Sequence, residues 1–224
     1  MAIAFDAATN GNYNGGSANN VTFSHTCTGS DLILLVGIYA TSLNTTGVTY
    51  NGVSMTEIGT AFAIGSDNLS AWYLVNPATG ANNVVATLSG TGGGQGGSLS
   101  YTGASQTGQP DANNTTSGSG TSLTNTLSTV ADNSWRAIYA HWSAGGTIVA
   151  GTNSTKRGSA NTNEGWFDSN GPITPAGSFA MTVDNSTGGS YGAFGLSIKL
   201  STGGAATVTR SPSGGASYGS PMMY

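Results

Sequence analysis

The feature that most limits what this chain can fold into is an apolar/polar alternation of period two that recurs along most of its length. In the stretch from Ser178 to Asp184, the residues Phe179, Met181 and Val183 fall on one side and polar or small residues on the other. Phe194, Leu196, Ile198 and Leu200 repeat the pattern, with Gly195, Ser197 and Lys199 facing away. Such alternation predicts antiparallel strands with one buried face. The run Asp31 to Ala40 is apolar in both phases, as expected of a central strand covered on both sides. Further strands are expected over 2–6, 20–27, 46–50, 53–58, 69–75, 83–89, 97–103, 121–129, 134–142, 146–150 and 164–168. Asn51-Gly52 between Tyr50 and Val53 marks a tight hairpin.

Composition supports the same class. Of 224 residues, 36 are Gly, 29 Ser, 31 Thr and 20 Asn, against two Glu and two Lys, so long helices lack their usual residues. Only 6% of residues are charged while 19 are Trp, Tyr or Phe, which separates the chain from disordered sequences. The expected architecture is all-β: an antiparallel, jelly-roll-like β-sandwich over 1–202, followed by an extended Gly/Ser/Pro-rich tail over 203–224. Gly90 to Gly97, Gln106 to Gly120 and Thr152 to Gly165 read as polar loops. A net charge of −4 without a Lys/Arg cluster argues against a nucleic-acid partner. No run of 18 apolar residues suggests a membrane span, and the N-terminal residues show no charged region followed by an apolar one. The expected localisation is a virion assembled from a product made in the host cytoplasm without a signal peptide. Cys27 is the only cysteine, so no intrachain disulfide is expected.

Three segments carry a resemblance: Gly47 to Thr56, Ala71 to Gly80 and Ser100 to Ala104, joined by Phe167 to Gly171 and Ala193 to Lys199. Together they resemble β-sandwich modules found in phage virion structural proteins and bacterial surface proteins, over roughly residues 20 to 200. The resemblance implies a structural or adhesive module, with no catalytic residues to carry over.

Residue chemistry agrees. His25 lies in phase with Val21, Phe23 and Cys27, and His141 with Trp135 and Tyr139, so both imidazoles are expected to face the core. Gly215-Ala216-Ser217-Tyr218-Gly219 spells a nucleophile elbow but stands between prolines with no strand-to-helix turn. Gly92, Gly94 and Gly97 match a dinucleotide fingerprint, yet no helix follows. Neither a zinc spacing nor an EF-hand series occurs, and no metal or other cofactor is expected; Asp168-Ser169-Asn170-Gly171 reads as an Asx-type turn. Glu57 and Glu164, the only glutamates, are expected at solvated strand ends or loops rather than as a catalytic pair.

The expected role is that of a non-enzymatic phage virion structural protein, a capsid decoration or cement subunit or a tail-associated one. It would act through contacts with identical subunits and a major capsid or tail protein. Tyr218, Met222, Met223 and Tyr224 are the expected interface anchors. A carbohydrate-binding or adhesive module is the alternative, with Trp166 in an exposed loop as the glycan-stacking residue. A self-assembling filament whose first six residues are donated as a strand is a further one.

Overall fold

The computed structural model describes residues 1–159 and 161–201. Every regular element in this range is a β-strand. In chain order the strands are β1 Ala4–Asn10, β2 Ala18–Cys27, β3 Ile33–Thr41, β4 Thr45–Tyr50, β5 Val53–Ser54, β6 Thr56–Glu57, β7 Phe62–Ile64, β8 Asp67–Val75, β9 Gly80–Gly92 and β10 Gly94–Thr102. They continue with β11 Ala112–Ser119, β12 Ser122–Ser128, β13 Trp135–Trp142, β14 Ile148–Ala150, β15 Thr155–Gly158, β16 Glu164–Asp168, β17 Ser178–Asn185 and β18 Ser190–Ile198.

These strands make four stacked layers. One inner sheet runs β1-β10-β3-β8-β6, with β7 also on β8, and the other runs β11-β18-β13-β16-β15. The outer sheets are β2-β9-β4-β5 and β12-β17-β14. Three apolar cores separate the layers. Phe23, Val36, Trp72 and Val84 fill the first sandwich. Ile138, Phe167, Met181 and Val183 fill the second. Leu35, Tyr101, Trp135, Trp166 and Phe194 fill the seam between the two inner sheets. Where the sequence predicts one sandwich, residues 1–159 and 161–201 form two jelly-roll-like sandwiches stacked through a shared core.

The two halves are equivalent strand by strand. The order β1-β10-β3-β8 over β2-β9-β4 recurs as β11-β18-β13-β16 over β12-β17-β14. Register follows. Val21 opposite Ala86 corresponds to Leu123 opposite Val183, and Leu35 opposite Leu99 to Ala137 opposite Leu196. Tyr39 opposite Leu69 corresponds to His141 opposite Glu164. Within β2 to β4 the equivalent residue lies a constant 102 positions further on, as for Val21 and Leu123, Ile33 and Trp135, or Val48 and Ala150.

At the seam, equivalent residues meet each other. Tyr39 stacks on His141 with ring centroids 4.3 Å apart and 17° between planes. A Cβ built on Gly37 would fall within the ring of its own equivalent, Tyr139. β10 reaches β16 just as β18 reaches β8. A position that touches its own counterpart is the mark of an isologous contact, so an approximate two-fold axis passes between β3 and β13. Glycine at 37 and tyrosine at 139 let one ring occupy space that two equal side chains would contest.

This layering corrects two expectations. β18 is buried on both faces rather than one, because it belongs to an inner sheet sandwiched between two cores. The glycine run 90–97 is not a loop: it ends β9 and forms the first half of β10, where a Cβ on Gly96 would overlap the Gly37 carbonyl. Segments 106–120 and 152–165 likewise contain β11 and β15. The Asn51-Gly52 turn is as expected, with φ of 50° and 76° between paired Tyr50 and Val53.

Candidate functional site

Among the described residues, His25, the His141–Asp67–Glu164 group and Arg136 set ionisable side chains in three internal places. In the first sandwich, alternation turns His25 inward from β2, and it is 1% exposed. Its Nδ1 lies 2.8 Å from Ser98 Oγ and 3.0 Å from Thr9 Oγ1, and its Nε2 lies 2.9 Å from Ser100 Oγ. Ser100 donates to Asp6 Oδ2 at 2.6 Å, and Asp6 also accepts from the backbone N–H and hydroxyl of Thr28. Burial depresses the imidazole to about 4 against the opposing pull of Asp6, so it stays neutral near pH 7. This network ties β1, β2 and β10 together.

The second place is the seam. His141 Nε2 pairs with Asp67 at 2.9 Å, and Thr41 donates to the same carboxylate at 2.8 Å. Desolvation works to raise the Asp67 pKa, but those hydrogen bonds outweigh it and the value is lowered. Beside His141 on the neighbouring strand, Glu164 accepts from the Tyr139 hydroxyl, and its Oε1 has no partner among the described residues. Burial pushes this carboxyl up to about 8, with the Tyr139 bond pulling the other way. Glu164 stands where the first half has Leu69 and is 1% exposed, which corrects the expectation of a solvated end. Glu57, in contrast, is exposed and accepts from the Ala61 N–H, so the two glutamates do not form a pair.

The third place is inside the second sandwich. Arg136 is fully buried, and its guanidinium donates to the carbonyls of Leu127 and Phe179 and to Asn125 Oδ1. Desolvation lowers it to about 10.

The other candidates sort as follows. Trp166, expected as an exposed stacking aromatic, is 1% exposed on an inner strand. Its Nε1 donates to Gly97 O at 3.0 Å and its ring lies 5.2 Å from that of Tyr139, so neither face is open to a glycan. The reason is that β16 lies in the middle layers of the stack, where both its faces meet a core. Asp168 does cap its own turn, accepting from Asn170 N at 3.0 Å, and it also accepts from Arg157 at 2.8 Å and Tyr101 at 3.0 Å. Tyr218, Met222, Met223 and Tyr224, with tail 203–224 and the serine of 215–219, lie outside the described residues. Residues 4–6, part of the expected donor strand, pair with β10 of the same chain or bulge beside it.

No group of three or more His, Cys, Asp or Glu able to hold a metal occurs among the described residues. Two surface concavities among the described residues are a pocket of about 240 Å³ lined by Met1, Ile3, Trp135, Pro172 and Leu200, and an open polar groove of about 480 Å³ over Thr49, Asn82 and Asn83. Neither holds the imidazoles, Glu164 or Arg136. The outer sheets turn Thr22, Ser24 and Thr26 outward on one side and Thr124, Thr126 and Ser128 on the other.

The fold defines the class: an all-β antiparallel protein of stacked, jelly-roll-like sandwiches. Compared with protein-family models, curated proteins and solved structures, the chain matches none.

Proposed function

We propose that this chain is a non-enzymatic structural subunit of a phage particle, a capsid decoration or tail-associated protein working through contacts between subunits. The observation that carries this reading is where the reactive groups sit. His25, His141, Glu164 and Arg136 are each at most 1% exposed, outside both surface concavities, and each hydrogen-bonds to a neighbouring strand. What the molecule offers its surroundings is broad, nearly uncharged sheet surface rich in hydroxyls and amides. Few surface ions mean little self-repulsion between copies, which suits a protein that packs against others. The burial of Trp166 removes the main support for glycan stacking, and the engagement of Ala4–Asn10 in its own sheet removes the simplest route to strand donation.

The test is proteomic and structural. Particles purified from the culture that carries the gene should contain this chain in fixed ratio to the major capsid or tail protein, and deleting residues 203–224 should reduce its incorporation. A chain absent from purified particles, or one that turns over a substrate with loss of activity in His25→Ala or His141→Ala, would overturn the proposal.

A further inference from the structure

Comparing the two halves isolates one group whose electrostatics differ. In the first sandwich the serine of the last inner strand, Ser100, bridges a base and an acid: its Oγ lies 2.9 Å from His25 Nε2 and donates to Asp6 at 2.6 Å. In the second sandwich the equivalent serine is Ser197, set directly opposite Arg136 on the neighbouring strand as Ser100 is opposite Leu34. Equivalent acids exist too, since Asp6-Ala7 at the start of β1 corresponds to Asp111-Ala112 at the start of β11, with Ala7 opposite Ser100 and Ala112 opposite Ser197.

The acid has turned elsewhere. Asp111 Oδ2 accepts from Ala131 N at 3.2 Å and Ser134 Oγ at 3.4 Å while its Oδ1 is buried without a partner, and Ser197 Oγ is buried without a hydrogen-bond partner among the described residues. Arg136 Nε, on the residue facing Ser197, is also buried without one. All nine acidic side chains of the sequence belong to the described residues, and none forms an ion pair with Arg136. A fully buried guanidinium is therefore neutralised only by carbonyl and amide dipoles, an arrangement that is costly unless a counter-charge completes it.

We infer that the second sandwich binds a small monovalent inorganic anion, of the halide class, between Arg136 Nε and Ser197 Oγ, in the role that the Asp6 carboxylate plays beside Ser100 in the first. Both groups donate a hydrogen bond and the guanidinium supplies the charge, while full burial of Arg136 and Ser197 disfavours multiply charged anions, whose dehydration costs far more. Desolvation as the sole cause depressing Arg136 accords with a cation that has no carboxylate nearby. Binding to the folded chain alone would stabilise it by mass action.

The probe is chloride. Full-length protein is unfolded in denaturant in sodium gluconate, with gluconate replaced stepwise by chloride at constant ionic strength. The unfolding equilibrium constant should fall saturably, by about 100-fold once chloride is a hundredfold above its Kd. Two variants should abolish the response: Arg136→Leu, which installs the residue the first half carries at this position, and Ser197→Ala, which removes the hydroxyl with almost no change of volume. Should Arg136→Leu not fold, Ser197→Ala alone still decides. An unfolding constant indifferent to chloride in the natural sequence, or an undiminished response in Ser197→Ala, would overturn the assignment and leave an ordered water as the partner of both groups.

Discussion

Replacing Glu164 by Gln should remove a specific segment of the pH dependence of stability. The Glu164 carboxyl is raised from its ordinary 4.5 to about 8 by burial in the seam. In the unfolded chain it loses its proton near 4.5, whereas the folded chain retains it until about pH 8. Its contribution is thus complete below 4.5 and declines as pH rises, becoming constant above 8. The full span corresponds to about 5 kcal/mol, and the stretch from pH 6.5 to 8 to about 2 kcal/mol. His25 works in the opposite sense. Its folded value of about 4 lies below the ordinary 6.5, so its contribution is complete above 6.5 and is lost as pH falls towards 4. Between 4.5 and 6.5 the two slopes oppose each other and largely cancel; from 6.5 to 8 the His25 contribution is constant and that of Glu164 still declines. Urea titrations at half-unit pH intervals measure this directly. Between pH 6.5 and 8 the natural chain should lose about 2 kcal/mol more than Glu164→Gln does, whatever the variant's absolute stability. Equal slopes for both proteins in that interval would refute the seam's electrostatics as described.

Two further outcomes follow from burial and backbone geometry. Trp166→Ala should cost about 3 to 5 kcal/mol in unfolding free energy, because a fully enclosed indole and its bond to Gly97 O are lost; a change below about 1 kcal/mol would mean that the ring is outside the core. Gly52→Ala should cost about 1 to 2 kcal/mol by the same assay, since φ there is 76° although nothing crowds the added Cβ, so an unchanged midpoint would contradict the left-handed turn.

Much of the local structure was legible because alternation reports which side chains share a face. It placed His25 with Val21, Phe23 and Cys27, three residues of the first sandwich's core. What alternation does not report is which strands share a sheet, and the four-layer stack turns on that. The clearest clue is Leu32–Ala40, apolar in both phases; Phe194 to Ile198 alternates as a half-buried strand does although it lies on an inner sheet, because its second face carries only Ala193, Gly195 and Ser197. The duplication escaped notice because equivalent core positions carry unlike residues: Gly37 and Tyr139, Phe23 and Asn125, His25 and Leu127, Leu34 and Arg136. At the seam the dyad itself requires such divergence, since the Tyr139 ring needs the space that Gly37 leaves; the other three pairs lie in separate sandwiches and do not touch each other. Asp6-Ala7 with Asp111-Ala112 and Leu99-Ser100 with Leu196-Ser197 are remnants in sequence, and dipeptides are too short to stand out in a chain this rich in small residues. Trp166 was misread for a related reason: flanking Gly and Asn suggested a loop, while the strand's place between two cores decides its burial.

The central claim, two equivalent sandwiches facing each other across Gly37 and Tyr139, is tested most directly by exchanging those residues. Gly37→Tyr alone should set two rings in the space of one, and Tyr139→Gly alone should leave a cavity, each costing several kcal/mol. The double variant moves the ring to the equivalent strand, so its urea midpoint should exceed that of both single variants. A double variant whose loss equals the sum of the two single losses would contradict the two-fold seam.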